Sequence, residues 1–260
     1  MTHPSAKIHP SAIIEPGAQL AEDVEVGPFS VIGPQVTIES GTRVGPHVVI
    51  NGHTSIGKDN RFYQFASIGE ENQDKKYQGE PTKTIIGDNN VFREGCTVHR
   101  GTVQDIGYTQ IGSHGLFMAY THVAHDCLVG DHVIFANNAT IAGHVSVGDW
   151  VILGGFTGVH QFCKVGAHAF AGMNSSITQD VPPYVMLQDG VPRAINAEGL
   201  KRRGFASDDI RAIKNAFRAL YRKNLKLEQA KTEIQTIANN SQAVDVIVQF
   251  LENSQRGIVR

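Results

Sequence analysis

Twelve histidines stand among 260 residues, and three of them share a phase. Counted in eighteens, His125, His144 and His160 fall within two positions of one another on successive repeats. His122 comes three residues before His125, and Asp126 follows it directly. Imidazole changes charge close to neutral pH, so a positioned histidine can take the proton of a hydroxyl. Three imidazoles can also hold a catalytic zinc. Like side chains also ladder for purely structural reasons in stacked coils, and spacing leaves all three readings open. Cys96, Cys127 and Cys163 are an odd number without CxxC spacing, which fits reduced thiols better than a disulfide framework.

The element that would bring these histidines together is visible as a period of six. From Ile8 to Ile68 every sixth residue is aliphatic or aromatic. The pattern returns at Ile86, Phe92 and Val98, and again from Ile111 to Ile177. Ile/Val-Gly pairs at 111, 129, 147 and 165 recur every eighteen residues, which is three sixes. This predicts a triangular coil of three short strands, one aliphatic residue per side pointing inward and Gly or polar residues at the corners. Nearly nine such coils, about 4.8 Å apart, make a prism roughly 40 Å tall. The period breaks twice, giving expected loops near 69–85 and 101–109, where binding residues tend to sit.

The repeat fades near Val181-Pro182-Pro183-Tyr184, and helical spacing takes over. Ser207 is placed to cap a helix with Asp208 and Asp209 in its first turn. Ile210, Ile213, Phe217, Leu220 and Tyr221 form its apolar stripe. Leu227, Ala230, Ile234 and Ile237 predict a second helix, and Val244, Ile247, Val248 and Leu251 a third. The expected division is a β-helix over 1–190 and an α-helical domain over 191–260.

A formal charge of −2 singles out neither nucleic acid nor membrane as partner. A hydrophobic share of 41% argues against disorder, and 27 glycines argue against a coiled coil. No apolar run reaches the roughly 18 residues of a membrane span, and the start lacks a signal peptide's apolar core. A cytoplasmic protein is expected, without a stable membrane anchor. Charge is uneven: residues 1–192 hold ten basic and eighteen acidic residues, and 193–226 hold ten basic and three acidic. The basic segment reads equally as a solvated helix face or as a dock for an acidic protein or phosphate.

Several segments together carry a specific resemblance. They are His122-Val123-Ala124-His125-Asp126-Cys127, Ala136-Asn137-Asn138-Ala139-Thr140, Ala142-Gly143-His144-Val145, His160-Gln161-Phe162-Cys163, Gln179-Asp180-Val181-Pro182-Pro183-Tyr184 and Asn196-Ala197-Glu198-Gly199-Leu200-Lys201-Arg202-Arg203-Gly204. Over nearly its whole length the chain resembles the UDP-N-acetylglucosamine acyltransferase family of lipid A synthesis. The resemblance implies a mainly β fold, a left-handed parallel β-helix of hexapeptide repeats followed by a small α-helical C-terminal domain. It implies a homotrimer with sites in clefts between prisms. The reaction would transfer an (R)-3-hydroxyacyl group from acyl carrier protein to the sugar 3-hydroxyl of UDP-N-acetylglucosamine. No cofactor or metal is implied, because 4'-phosphopantetheine arrives on the carrier protein, and no nucleic acid is a partner.

Residue roles follow from the same resemblance. His125 is the general base, Asp126 orients it, and the N–H of Gly143 meets the oxyanion. Gln73, Asp74 and Lys76 hold the glucosamine and acyl donor. His122, His144, His160 and Gln161 line the sugar and diphosphate site. Asn196, Glu198 and Arg202 bind the nucleotide, with Arg203 near phosphate. Met173 sits where the family places the floor of its acyl groove, which implies a medium chain of about ten carbons rather than about fourteen. Packing inside the prism is the alternative for Met173. The stretch 185–195 departs from the family's usual turn and is about two residues short.

Other readings make different demands. A γ-type carbonic anhydrase-like zinc β-helix predicts bound zinc, but has no use for the basic helices or the Asn196–Arg203 segment. Another hexapeptide acyltransferase would use coenzyme A or an amine acceptor. The N-acyl relative carries an extra N-terminal domain, for which coils beginning at Ile8 leave no room. A non-enzymatic scaffold leaves the histidine edge unexplained.

Overall fold

The computed structural model describes residues 2–260. Each aliphatic residue of the period closes a short strand with its side chain inward, as Val26, Ile32 and Ile38 do. Successive strands take three faces in rotation. Among the described residues they form sheets of eleven, nine and eight strands. The first face starts at Lys7–Ile8, the second at Ile13–Ile14 and the third at Gln19–Leu20. Pairing is parallel and offset by one coil, so Leu128 lies against Ser146 and Ser146 against Lys164. Like residues therefore stack through the core: Phe62, Phe92 and Phe117 follow one another at 5.0 and 4.6 Å. Each fully buried Ile, Leu or Phe contributes roughly 1.5–3 kcal/mol.

The corners differ from the glycine-or-polar expectation. Left-handed backbone recurs at turns held by Phe29, Phe65, Tyr120, Trp150, Phe156 and Phe162, alongside Asn, Asp and His. That conformation costs about 1–2 kcal/mol for an L-residue. The repeat offsets part of it by laying flat rings over one another. Phe29–His47–Phe65 stack at 5.1 and 5.5 Å, and His114–His132–Trp150 at 4.7 and 4.0 Å.

The three corners carry different things. Between the first and second faces, Phe29, Phe65, Tyr120 and Phe156 stand exposed. Between the third and first, His114, His132, Trp150 and His168 form a ring column. Both loops leave from the corner between the second and third faces. One joins Ser67–Glu70 to Lys83–Ile86, and the other joins Thr97–His99 to Tyr108–Ile111. Asn72 ties them together by donating to the Gly101 carbonyl at 3.0 Å.

The short 185–195 stretch is a hairpin. Val185–Gln188 extends the first face in parallel, and Val191–Ile195 returns antiparallel. Asp189 and Gly190 turn it with φ of 54° and 74°, as a two-residue type I′ turn requires. The division drawn at 190/191 falls inside this turn, and both strands belong to the first face.

Four helices follow: α1 (Ala197–Arg202), α2 (Ser207–Tyr221), α3 (Leu227–Ala238) and α4 (Gln242–Asn253). The last three bury the expected stripes, including Ile213, Phe217, Ile234, Val244 and Leu251. Ser207 is the first helical residue of α2 rather than its cap; Ala206 holds that place and has no side-chain oxygen to offer. The helices are fastened to the prism where Tyr184 donates to the Ala243 carbonyl at 3.0 Å and Ser254 to Asp180 Oδ2 at 2.7 Å.

Candidate active site

The corner between the second and third faces gathers the chemistry. The strand His122–Val123 pairs with Thr140–Ile141, which pairs with Gly158–Val159. That register puts His125, Gly143 and Gln161 in one column and Asp126, His144 and Phe162 in the next. His125 Nδ1 lies 2.9 Å from Asp126 Oδ2. Asp126 is buried and takes two more donors from the second loop, the Thr102 N–H at 2.9 Å on Oδ1 and the Thr102 hydroxyl at 2.7 Å on Oδ2. Burial pushes this carboxyl up, but hydrogen bonds from His125 and Thr102 outweigh it and hold it below the ordinary range. An ionised Asp126 fixes the His125 proton on Nδ1 and leaves Nε2 as the free nitrogen.

Gly143 lies directly beneath that ring. A β-carbon added there would stand 2.5 Å from Cε1 and 2.7 Å from Nε2 of His125. Its carbonyl accepts from Phe162 N–H at 3.1 Å. Its own N–H makes no hydrogen bond among the described residues.

His144 meets His125 edge-on, with ring centroids 4.9 Å apart and planes at 89°, so the two do not form a flat ladder. Phe162 stacks beneath His144 at 4.3 Å. His144 Nδ1 is 2.5 Å from Asp105 Oδ2. His122 Nδ1 bonds the Thr97 hydroxyl at 2.7 Å, and His99 packs edge-on against its ring at 4.8 Å. Burial, then neighbouring His99 and His125, lowers His122 to about 4, and burial lowers His99 as well. Both rings are neutral near pH 7. His160 is exposed on the same corner, with Nδ1 3.1 Å from the Gln161 carbonyl.

Ligand atoms of His125, Asp126 and His144 lie within 4.8 Å of one another and could hold a metal ion. The cluster contains two imidazoles and one carboxylate; His160 is outside it. The three cysteines are free and buried. Burial pushes Cys127 up to about 12 and Cys163 up to about 11, so neither is a thiolate near neutral pH.

The other expected residues lie in the first loop, which leaves this same corner, and at the other two corners. Gln73 and Lys76 are exposed in the first loop; Asp74 accepts the Lys76 N–H at 2.9 Å, shaping that loop. Asn196 caps α1 through Gly199 N–H and donates to the His168 carbonyl at 3.1 Å. The Arg203 guanidinium lies 4.9 Å over the Trp150 ring and bonds His168 Nδ1 at 3.1 Å. Glu198 and Arg202 are exposed on α1, and Glu198 pairs with Lys201. This group therefore belongs to the corner between the third and first faces. Met173 is 65% exposed on the corner between the first and second faces, so it does not pack inside the prism. Among the described residues, one chain does not unite these three groups.

Sequence reasoning missed Thr102, Asp105 and His99. The expected loop at 101–109, leaving beside the histidine phase, was the available signal.

The triangular prism of hexads is the architecture of the hexapeptide-repeat proteins, and one of its corners carries a histidine–carboxylate pair. A family model for bacterial transferase hexapeptide repeats matches residues 5–40, and one for UDP-N-acetylglucosamine O-acyltransferase, domain 2, matches 180–259. Proteins named acyl-[acyl-carrier-protein]–UDP-N-acetylglucosamine O-acyltransferase are similar over nearly the full chain. The one from Thiobacillus denitrificans is 54% identical, covering 98% of this chain and 100% of the relative. The one from Herminiimonas arsenicoxydans is also 54% identical, covering 97% and 99%. A solved structure of LpxA from Acinetobacter baumannii superposes with a TM-score of 0.94 at 48% identity, covering 97% of this chain and 99% of that one. The chain belongs to this O-acyltransferase family, and its fold is the left-handed parallel β-helix with a C-terminal helical domain.

Proposed function

We propose that this protein transfers an (R)-3-hydroxyacyl group from acyl carrier protein to the 3-hydroxyl of UDP-N-acetylglucosamine, the first step of lipid A biosynthesis. The observation that carries the mechanism is His125, bonded through Nδ1 to Asp126 with Gly143 under its Nε2 edge. His125 Nε2 takes the sugar hydroxyl proton as the oxygen attacks the thioester carbonyl. The Gly143 N–H receives the resulting oxyanion. When the carbonyl re-forms and the carbon–sulfur bond breaks, the leaving thiolate takes the proton back from His125. Each proton and electron pair is accounted for without an enzyme nucleophile or resident cofactor, in keeping with the raised Cys127 and Cys163 thiols.

The protein acts as a cytoplasmic homotrimer in this reading. Supporting it, the base, the α1 residues and Met173 occupy three different corners, and Phe29, Phe65, Tyr120 and Phe156 are exposed along one of them. Among the described residues, no helix is long and apolar enough to cross a membrane. Mixing inactive His125→Ala and Arg202→Ala copies is expected to restore about a quarter of wild-type activity, because random assembly pairs an intact base with an intact α1 that often. No recovery from verified mixed trimers would defeat the shared site.

The exposed Met173 supports a groove floor that limits chain length. A mass-resolved transfer assay with carrier proteins bearing graded (R)-3-hydroxyacyl chains tests the whole reading. The expected product is a singly acylated sugar nucleotide, best with about ten carbons. Met173→Gly is expected to move the preference to longer chains by roughly tenfold in kcat/KM for every two newly accommodated methylenes, at about 0.8 kcal/mol each. An unchanged preference would remove Met173 from the groove.

A further inference from the structure

We propose that Asp105 is a positioning residue for His144, so that a second histidine–carboxylate pair stands beside His125–Asp126. The second loop makes both pairs: Thr102 holds Asp126, and Asp105, three residues on, reaches His144 Nδ1 at 2.5 Å. The groups facing His144 are Asp105, Asp126 at 4.0 Å, the edge-on His125 ring and the stacked Phe162.

Stacking on Phe162 fixes the plane of the imidazole but leaves open which of the ring's two edges faces the loop. A half-turn about the Cβ–Cγ bond would exchange a nitrogen for a carbon at the point facing the loop. The Asp105 carboxylate selects one of the two arrangements, because only Nδ1 can donate to it. That leaves Nε2 as the ring's remaining polar atom, presented in one defined position. The Asp105 side chain is 39% exposed, so this contact adds little to stability. Its effect is on orientation.

The proposal rests on the acyl-transfer reading for its kinetic test, and on the ring geometry alone for its spectroscopic one. Asp105→Ala is expected to raise KM for UDP-N-acetylglucosamine about tenfold, the scale of one well-placed hydrogen bond, while kcat stays within about threefold. Asp105→Asn keeps an acceptor without the charge and should fall between. The melting temperature of both should match wild type. Proton NMR of the unliganded wild type should contain a downfield Nδ1–H resonance assigned to His144 by its loss in His144→Asn. Asp105→Ala should lose the same signal. An unchanged KM, a loss confined to kcat, or persistence of that resonance in Asp105→Ala would overturn the proposal. A wild type unable to acylate the sugar nucleotide would defeat the acyl-transfer reading instead, with the resonance still testing the pair.

Discussion

Asp126→Asn is expected to lower kcat/KM about a thousandfold, nearly as far as His125→Ala. The prediction follows from the donors around one carboxylate. The Thr102 N–H is shared, at 2.9 Å from Oδ1 and a longer 3.1 Å from Oδ2, and Oδ2 also accepts the Thr102 hydroxyl and His125 Nδ1. An asparagine amide has two ways to fit. With its NH2 at the Oδ1 position it would aim a donor at a backbone donor. The other orientation keeps the carbonyl on Thr102 N–H, and the Thr102 hydroxyl can rotate to accept. The amide then donates to His125 Nδ1, which forces the histidine proton onto Nε2. The nitrogen meant to take the sugar proton is occupied, and a general base worth about 10²–10⁴ is lost without any change of shape.

Stability separates this from misfolding. The folded Asp126 carboxyl is depressed, so it adds stability above the ordinary aspartate value of about 3.9, and that contribution is lost as pH falls through the folded value. Wild type and Asp126→Asn should therefore converge in melting temperature in acid and diverge near neutral pH. Crystals or circular dichroism should show the variant folded at pH 7. A folded variant with more than a tenth of wild-type kcat/KM would sink the orienting role.

Much of this fold is legible because a triangular coil leaves its inward residues no freedom. Every sixth residue must be apolar, and Ile8 to Ile177 obey wherever the coil is unbroken. The same arithmetic places His125 and His144 together, since a phase is also a position on the perimeter. It cannot place residues in loops, where the period stops. Thr102 and Asp105 are invisible to phase for that reason, although they hold Asp126 and His144. His99 sits at a strand end where the count has already been broken. The 185–195 hairpin had a local signal in Asp189-Gly190, whose left-handed pair is a turn signature; comparison with a longer family turn obscured it. Aromatic corners were unforeseen because a left-handed turn argues against Phe or Trp locally. Only stacking on the next coil makes such residues favourable.

Gly143→Ala is expected to lower kcat/KM about a hundredfold while leaving the fold nearly intact. Gly143 does not adopt positive φ, so its backbone conformation tolerates a side chain. The obstacle is what the methyl meets. It would stand 2.5 Å from Cε1 and 2.7 Å from Nε2 of His125, closer than real side chains come, and a tight 3.1 Å from Nδ1. That ring cannot yield freely, since Asp126 holds Nδ1 and His144 abuts it edge-on. A shift of about 1 Å in the base is enough for a hundredfold loss. The alanine N–H survives at the same place in the chain, so the substitution moves the base while retaining the oxyanion donor. Gly158→Ala, with nothing within 4 Å of the added carbon, is the matched control and should lose no more than about twofold. If Gly143→Ala matches this control, the contact beneath His125 does not set the position of the base. If the hundredfold loss comes with an unchanged melting temperature and a displaced His125 Nδ1–H resonance, the glycine is there to leave room for the imidazole.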